Sequence, residues 1–264
     1  MPELPEVEVF RREFAARGLG KMIEGVHLIA PRSLRGATGE ALRAALEGDR
    51  FAGVARHGKI LFARTARGPT LVIHFGMTGA LRFCAAGQAA PKGALLGLTF
   101  AGGPLCAVVS QRRLGWLELT DDRLAYLRER GIGPDALSLS ARDFAERIGA
   151  GRGSLKTALM DQSKIAGIGN VYSDEILFRA GLAPRSKGRD LSREGLEALH
   201  RTLRAVLEGA VGILASGAEL PPDWLARHRE AGAACPRCGR PLRRERIGGR
   251  SAYSCPRCQR GGAG

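Results

Sequence analysis

Four cysteines near the end of the chain form its clearest chemical pattern. Cys235 and Cys238 are followed by Cys255 and Cys258, so two Cys-Pro-Arg-Cys pairs are separated by sixteen residues. This spacing is typical of a four-cysteine zinc site, in which four thiolates leave no open coordination position. We therefore predict one structural zinc ion, whose binding stabilises a segment too short to form a core of its own.

The net charge of the chain limits the partners that it can have. Its 264 residues carry 41 Lys and Arg against 26 Asp and Glu, a formal net charge of +15. Such a charge attracts polyanions, so nucleic acid is the first candidate partner and an anionic membrane surface is the second. The membrane is disfavoured because no apolar run approaches the roughly 20 residues that a spanning helix needs.

The start of the chain and its cysteine usage indicate where the protein works. The N-terminus reads Met-Pro-Glu-Leu-Pro-Glu, which is acidic and unlike a signal peptide. We therefore expect a cytoplasmic protein, and in that reducing compartment the four-cysteine cluster favours metal over disulfides. Cys84 and Cys106 are isolated in apolar stretches and are expected to be small buried hydrophobic residues.

The N-terminal part of the chain is predicted to consist mainly of β-strands. Helical spacing of apolar residues predicts an amphipathic helix over residues 3–17, and a second helix over 39–47 interrupts a series of short apolar runs. Regularly spaced short strands with turn signals are typical of an antiparallel sandwich. The predicted strands are Val26–Ala30, Ile60–Ala63, Leu71–Phe75, Leu95–Phe100, Leu105–Val109 and Trp116–Leu119.

The pattern is helical from about residue 123 to about 215, and a helix capped by Ser192 is its clearest part. Pro221-Pro222 marks a break, after which an arginine-rich tail carries the four cysteines. The chain is therefore predicted to be an α+β protein. Its predicted parts are an N-terminal helix plus antiparallel β-sandwich at 1–120, a helical domain at 121–222 and a zinc-finger module at 223–264.

Two helices joined by a glycine-bearing connection lie within residues 155–181. The first is predicted to end near Gln162, Gly167-Ile168-Gly169 turns the chain tightly, and Asn170 is predicted to cap the second helix. Exposed backbone amides at a helix N-terminus bind phosphate, although an ordinary helical hairpin in a core is the alternative. Because no strand precedes these glycines, they are not a dinucleotide fingerprint and imply no organic cofactor.

A β-hairpin is predicted between the two cysteine pairs. Gly248-Gly249 would form its turn and place Arg250 at the tip. Taken alone, an arginine at a hairpin tip is a solvated charge, but beside a polyanion it would grip a phosphate.

Taken together, these motifs resemble those of the formamidopyrimidine-DNA glycosylase/endonuclease VIII family, and the resemblance extends nearly from end to end of the chain. The matching motifs are Pro2-Glu3-Leu4-Pro5-Glu6-Val7-Glu8, Gly58-Lys59, Ile73-His74-Phe75-Gly76-Met77-Thr78-Gly79, Arg112-Arg113, the helix–two-turn–helix of Asp161–Ala180, and Gly248-Gly249-Arg250 followed by Cys-Pro-x-Cys-Gln. Each motif is moderately specific, and their order and spacing together are very specific. The start of the chain and the His-x-Gly-Met-x-Gly motif favour the formamidopyrimidine branch.

The resemblance implies a helix plus β-sandwich, then helices and a zinc finger, with damaged double-stranded DNA between the two domains and a monomeric enzyme. It makes Pro2 the nucleophile after removal of Met1, because a secondary amine can attack the deoxyribose C1′ and form an iminium. Glu3 is the implied acid/base, Glu6 holds the site through helix-terminus amides, and Lys59 grips phosphate and assists proton transfer. Without the family pattern, Pro2 would be interpreted as the start of a helix, Glu3 as a glutamate that compensates the helix dipole, and Lys59 as an exposed strand-edge lysine.

The resemblance also implies which residues hold the DNA. Arg152, Lys156, Asn170 and Arg250 match positions that hold the phosphates flanking a flipped nucleotide, and Arg250 is also implicated in δ-elimination. Glu175 matches a glutamate near the damaged base, although by itself it would be interpreted as a surface residue.

A further group would fill the gap that a flipped base leaves in the stack. Proteins offset the cost of unstacking with apolar wedges and arginine. Met77 and Arg112 match these positions, and His74, Arg113 and Leu114 are assigned to the same DNA-binding surface. For Met77 the alternative is packing in the core.

The sequence departs from the family pattern in three places. Ser110–Gly115 replaces Asp-Pro-Arg-Arg-Phe-Gly, so Leu114 stands where a stacking phenylalanine is common. Pro91–Ala94 replaces a histidine-rich segment. The stretch Leu214–Arg227 is short where the 8-oxoguanine enzymes have a longer glycine-rich loop over the flipped base. We therefore predict a bias toward ring-opened purines, hydantoins or oxidised pyrimidines.

The sequence predicts a bifunctional DNA glycosylase/AP lyase of base excision repair. One alternative is a non-catalytic, damage-recognising zinc protein of the same fold, which the presence of Pro2, Glu3 and Lys59 disfavours. The other is an unrelated zinc-ribbon nucleic-acid binder, which the N-terminal motif and the helix–two-turn–helix disfavour. DNA binding should weaken steeply with salt, because each neutralised phosphate releases counterions.

Overall fold

The computed structural model describes residues 1–261, which form two compact units, Met1–Arg130 and a second unit that begins at Gly131. The first unit extends beyond the predicted boundary at 120 because the next helix packs onto the sheet. In this helix the Tyr126 ring meets the Phe62 ring edge-on, with centroids 5.7 Å apart. The finger as a separate third domain stays a prediction.

The first unit consists of two four-stranded antiparallel sheets and three helices. The strands are β1 (Ile23–Leu28), β2 (Phe51–His57), β3 (Ile60–Thr65), β4 (Thr70–His74), β5 (Gly79–Cys84), β6 (Ala94–Phe100), β7 (Leu105–Ser110) and β8 (Trp116–Thr120). One sheet has the strand order β1-β6-β7-β5 and the other has the order β2-β3-β4-β8. The helices are α1 (Leu4–Gly18), α2 (Gly39–Leu46) and α3 (Arg123–Glu129).

Six of these strands and the first two helices coincide with the predicted elements. The sequence prediction missed β2 and β5, which lie at the edges of their sheets. An edge strand packs less of its surface, so it does not need a continuous apolar run, and β2 is fully buried only at Phe51. The predicted antiparallel sandwich is otherwise confirmed.

The core of the first unit contains apolar side chains of α1 and of both sheets. Phe14 on α1 meets Phe51 at 5.1 Å between ring centroids, and both rings lie within 6.4 Å of Phe100. Cys106 is buried, as predicted, and burial raises the pKa of its thiol. Cys84 is only partly buried.

The second unit is helical and ends in a β-hairpin. Its helices are α4 (Ala141–Gly149), α5 (Leu155–Met160), α6 (Asn170–Arg179) and α7 (Arg193–Ala215), and its strands are β9 (Arg243–Ile247) and β10 (Arg250–Ser254). Ser192 caps α7 by accepting a hydrogen bond from Gly195 N, as predicted. Within the described residues, no helix combines the length and apolar character that crossing a membrane requires.

Candidate functional site

The N-terminus of α1 brings the first two candidate residues together. Glu3 is the N-cap residue, and its side chain is buried with 1% exposure, whereas Pro2 before it is partly exposed. The Glu6 carboxylate accepts a hydrogen bond from Glu3 N at 2.8 Å. Glu6 therefore fixes the backbone at this terminus, in agreement with its expected structural role.

Lys59 lies in the tight turn between β2 and β3, and an arginine ties that turn to α1. Arg56 Nε lies 3.3 Å from Glu8 Oε2, and its Nη1 donates to the Gly58 carbonyl at 3.0 Å. Burial opposes ionisation of Glu8, but hydrogen bonds from Arg11 and Arg12 and the neighbouring positive charges lower its pKa to about 2. The turn is therefore held to the helix by an ionised carboxylate.

His74 ends β4 next to this turn. Its ring stacks on Trp116 with centroids 5.1 Å apart, and the Arg35 guanidinium lies over the same tryptophan. Burial, with the charges of Lys59 and Arg35, lowers the pKa of His74 to about 4. Its Nδ1 accepts a hydrogen bond from Gly76 N at 3.2 Å, so the neutral ring carries its proton on Nε2, where it can donate.

Two adjacent loops expose the residues predicted to fill the base stack. Met77 and Leu114 are 37% and 48% exposed, which excludes core packing for Met77. Arg112 N donates to Thr78 Oγ1 at 3.1 Å and thus joins the loops. The loops touch at Gly76, where a Cβ atom would come within 2.5 Å of the Leu114 backbone. Two exposed apolar side chains and an exposed arginine therefore sit on a constrained backbone.

The backbone of the second loop has an unusual conformation at one residue. Arg113 has φ 51°, the one positive φ of a non-glycine residue among those described. A non-glycine residue in this left-handed region costs conformational energy, and it persists only where neighbouring contacts impose it. The Ser110 carbonyl accepts from Arg113 N at 2.8 Å and Ser110 Oγ accepts from Gly115 N at 3.1 Å, and these bonds define the turn.

In the second unit, the connection between α5 and α6 is held by Gln162. Its Nε2 donates to the Met160 and Ile168 carbonyls, and its Oε1 accepts from Gly167 N. The predicted capping role of Asn170 is wrong, because Gly169 is the N-cap residue and Asn170 is the first helical residue. Asn170 Oδ1 is buried and has no hydrogen-bond partner among the described residues.

Lys156 requires a correction. It was predicted to hold a phosphate, but its side chain is fully buried in α5. Its ammonium donates to Asp174 Oδ1 at 2.6 Å, to Ser173 Oγ at 3.1 Å and to the Asn170 carbonyl at 3.3 Å. Its ammonium therefore has no exposed surface at which a phosphate could bind.

Glu175 also differs from its sequence interpretation. The surface interpretation is wrong, because the side chain is 0% exposed. Its Oε1 accepts from Arg179 Nε at 2.9 Å and its Oε2 accepts from Ala226 N at 2.9 Å. Oε2 therefore holds α6 to the segment before the finger, whereas Oε1 is bound within α6 itself, because Arg179 is the last residue of that helix.

Arg250 lies at the tip of the β9–β10 hairpin, as predicted. Gly248 and Gly249 have φ 55° and 76°, which suit a tight two-residue turn. The turn lies against α5, because a Cβ atom at Gly248 would come within 2.6 Å of Thr157 Cγ2. Arg250 and Arg152 are both exposed, so their guanidinium groups are accessible to a polyanion.

The four cysteines meet as the spacing predicted. Their sulfur atoms all lie within 4.8 Å of one another, and the pairs Cys235–Cys258 and Cys238–Cys255 are 3.9 and 3.5 Å apart. Tetrahedral zinc with bonds of about 2.3 Å needs sulfur atoms about 3.8 Å apart, so the four thiolates fit that ion. They pack with Phe178 and Leu225 in a small apolar cluster, so zinc would also secure the contact with α6.

Several positioning residues escaped the sequence analysis. Arg56, Asp174 and Arg229 make the ion pairs that connect the candidate elements, and Trp116 orients His74. Asp174 lies within the helix–two-turn–helix motif, but its residue type alone does not show that it is buried. The two arginines had no signal, because in an arginine-rich chain they look like any surface cation.

The fold and these sites define a class of protein that joins a helix-bearing β-sandwich to a helix–two-turn–helix unit with a zinc finger. Residues 1–117 match the formamidopyrimidine-DNA glycosylase N-terminal domain, and residues 131–221 match the H2TH domain of the same enzymes. Residues 232–261 match the zinc finger found in FPG and IleRS.

Full-length relatives agree with these matches. The chain is 36% identical to the formamidopyrimidine-DNA glycosylase of Halorhodospira halophila, over 98% of this chain and all of that protein. It is 34% identical to that of Desulfitobacterium hafniense, with the same coverage. The chain therefore belongs to the formamidopyrimidine-DNA glycosylase family.

Solved structures give the same result. The chain matches the Lactococcus lactis enzyme in complex with a FAPY-dG-containing DNA at a TM-score of 0.88 and 28% identity, over 98% of this chain and all of that one. The same enzyme bound to DNA with an AP site matches at 0.85, over 98% and 99%. The predicted fold and the predicted family resemblance are confirmed.

Proposed function

We propose that this protein is a bifunctional DNA glycosylase/AP lyase of base excision repair, acting as a monomer with one structural zinc. It removes oxidised or ring-opened bases from duplex DNA and then cuts the strand. The observation that carries the proposal is the start of α1, where Pro2 precedes a buried Glu3 whose amide is held by Glu6. The relatives are named formamidopyrimidine-DNA glycosylase, and the Lactococcus lactis structures hold DNA that contains FAPY-dG or an AP site.

The chemistry begins once Met1 is removed, because an acylated proline nitrogen is not nucleophilic. The lone pair of the Pro2 amine forms a bond to C1′, the C1′–base bond breaks with its electrons on the base, and the amine proton passes to the base. Glu3 donates a proton to O4′ as the C1′–O4′ bond breaks, which leaves an iminium at C1′. The Glu3 carboxylate then accepts a C2′ proton, the C2′–H electrons form a C2′=C3′ double bond, and the C3′–O3′ bond breaks with its electrons on the departing 3′ phosphate. Water adds to C1′ of the iminium and releases the unsaturated sugar from Pro2.

The DNA-contacting residues have two tasks. Arg152, Arg250 and Asn170, the first residue of α6, bind phosphates. Lys156 supports Asn170 by donating a hydrogen bond to its carbonyl. Lys59 acts at the phosphate of the damaged nucleotide, and Arg250 also assists the δ-elimination.

A second group replaces the extruded base. Met77, Leu114 and Arg112 enter the stack, because two exposed apolar side chains and a cation on constrained loops suit that task. His74 donates a hydrogen bond from Nε2 to the DNA backbone, and Arg113 lies on the same DNA-binding surface. With DNA as its substrate, we place the protein in the cytoplasm, associated with the nucleoid when bound.

The short connection after α7 supports a preference among lesions. α7 ends at Ala215 and the next helical turn begins at Leu225, which leaves few residues to cover a flipped base. We therefore propose that 8-oxoguanine is excised more slowly than formamidopyrimidine or 5-hydroxyuracil. Single-turnover excision from matched duplexes tests this, and a faster rate on 8-oxoguanine contradicts it.

Borohydride trapping tests the proposed function. Protein free of Met1 and loaded with zinc is mixed with lesion-bearing or abasic duplexes, reduced, and examined for a covalent protein–DNA band. We expect a band that Pro2→Gly and Glu3→Gln abolish. Glu40→Gln, which removes an exposed first-turn glutamate of α2, is the matched control and should leave it intact. The absence of a band on every duplex would leave a non-catalytic damage-binding protein as the function.

A further inference from the structure

Arg229, in the segment that leads into the zinc finger, reaches both DNA-binding elements of the second unit. Its Nε and Nη2 donate to Asp174 Oδ2 at 3.1 and 2.9 Å. Nη2 also donates to the Asn170 carbonyl at 3.2 Å, with a longer contact of 3.5 Å to the Ser251 carbonyl. Its guanidinium lies 5.0 Å over the Tyr253 ring. One side chain thus connects the start of α6 with β10.

Asp174 is the buried centre of this network. One of its oxygens binds Lys156, and the other accepts from Arg229 and from Tyr253 N at 3.2 Å. Asp174 has no exposed surface, and only 16% of the Arg229 side chain is exposed. A buried carboxylate is tolerated only when cations and hydrogen bonds satisfy it, so this arrangement is rigid and removal of one partner is costly.

The network converges on two of the residues assigned to phosphate binding, Asn170 and Arg250. Asn170 is the first residue of α6, and its carbonyl accepts from both Lys156 and Arg229. Arg250 is the first residue of β10, and the same strand is held at Ser251 and Tyr253. The separation of Asn170 and Arg250 is therefore set by Arg229 and Asp174, which contact neither phosphate-binding side chain.

We propose that Arg229 is a positioning residue for DNA binding, which fixes the Asn170 terminus of α6 against the Arg250 hairpin so that both meet successive phosphates. This inference rests on the proposed function, because it takes Asn170 and Arg250 as phosphate ligands. The planar guanidinium is suited to the task, because it donates to a carboxylate and to a carbonyl at fixed angles. A lysine ammonium in its place keeps the charge but not this geometry.

The test compares Arg229→Met and Arg229→Lys with Arg227→Met. Arg227 lies in the same segment, binds the Leu220 carbonyl and Glu219, and loses the same charge without touching the network. The probe is a duplex with a tetrahydrofuran abasic analogue. We expect the Kd to rise about tenfold in Arg229→Met, about threefold in Arg229→Lys and less than about twofold in Arg227→Met, as for loss of one charge-assisted hydrogen bond.

A double-mutant cycle separates positioning from a direct contact. If Arg229 acts through Asn170, Arg229→Met should weaken binding much less in an Asn170→Ala background than in wild type. Multiplicative effects would overturn the proposal and make Arg229 an independent contact. On abasic duplex, Arg229→Met should raise KM and leave kcat unchanged, with kcat calculated per molecule of protein that borohydride can trap. This is the pattern expected when a mutation removes binding that is equally strong in the ground state and in the transition state. A loss of trappable protein at unchanged KM would show a merely structural role.

The remaining outcomes are also decisive. If Arg229→Met does not fold with its full zinc content, the test uses Arg229→Lys instead. The proposal is overturned if folded Arg229→Lys binds the duplex with the same Kd as wild type and shows no coupling to Asn170. Failure of this inference is distinct from failure of the proposed function. Wild-type protein that gives the borohydride band while Arg229→Met binds normally contradicts only the positioning role, whereas wild-type protein without a band contradicts the enzyme.

Discussion

Arg56 and Glu8 connect α1, the helix that follows the proposed nucleophile Pro2, with the turn that carries Lys59. Arg56 Nε lies 3.3 Å from Glu8 Oε2, both side chains are largely buried, and Arg56 also donates to the Gly58 carbonyl. The position of Lys59 relative to α1 is therefore set by an ion pair between residues 48 positions apart.

Breaking this connection should slow the chemistry more than it weakens DNA binding. Arg56→Met frees the turn from α1, and small displacements of catalytic groups are costly, so we expect single-turnover excision to slow about tenfold or more. Arg12→Met is the control, because Arg12 also binds Glu8 but lies on α1 itself. Equal rates for the two variants would show that the turn is held by other contacts.

Acid should destabilise the first unit through Glu8. Its folded pKa of about 2 lies below the ordinary 4.5, so its contribution is complete above about pH 5 and is lost as the pH falls toward 2. The difference corresponds to at most about 3 kcal/mol. Denaturant unfolding at pH 7, 5 and 3 measures this, and the pH dependence should be flatter in Glu8→Gln. A slope unchanged from wild type, and equal to that of Glu40→Gln, would contradict it.

His74 should stay neutral throughout the physiological pH range. Its pKa of about 4 means that the folded ring takes up a proton only as the pH approaches 4. Stability is lost earlier, as the pH falls from the ordinary 6.5 toward 4, because the unfolded ring is protonated over that range while the folded ring is still neutral. A pH titration of the imidazole carbon shifts by NMR, with His74→Gln used for assignment, should give a midpoint near 4. A midpoint near 6.5 would mean that the ring is more solvated and that its tautomer is not fixed.

The exposed loop residues should matter for extrusion of the base. We expect Met77→Ala and Leu114→Ala each to slow excision from a paired lesion about tenfold, because the gap in the stack is no longer filled. Leu124→Ala is the matched control, since Leu124 is also exposed, at 58%, but lies on α3. Comparable slowing in all three variants would point to a general loss of stability.

Removal of zinc should unfold the finger and abolish DNA binding, because the four thiolates replace a core in that segment. Cys238→Ser should lower the zinc content from one ion per chain and raise the Kd for abasic duplex. Cys84→Ser, which removes a cysteine outside the cluster, should do neither. Full zinc content in Cys238→Ser would show that this thiolate is not a ligand.

Elements with local signals could be predicted from the amino-acid sequence alone. The zinc ligands follow from the spacing of two Cys-x-x-Cys pairs, and the Gly248-Gly249 turn placed Arg250 at a hairpin tip. The helix at the N-terminus and six strands follow from periodicity. The cap of α6 was misassigned to Asn170 because Gly169, which also permits an N-cap, stands directly before it.

Which charged residues face the solvent depends on contacts between elements that are distant in the chain. Lys156 and Glu175 are buried because partners distant in the chain satisfy them: α6 supplies Asp174 for the first, and the segment before the finger supplies Ala226 N for the second. Asp174 and Arg229 meet across 55 positions. Such pairings depend on how whole helices and strands pack against one another. In an arginine-rich sequence, the residue types do not show which acidic residue each arginine pairs with.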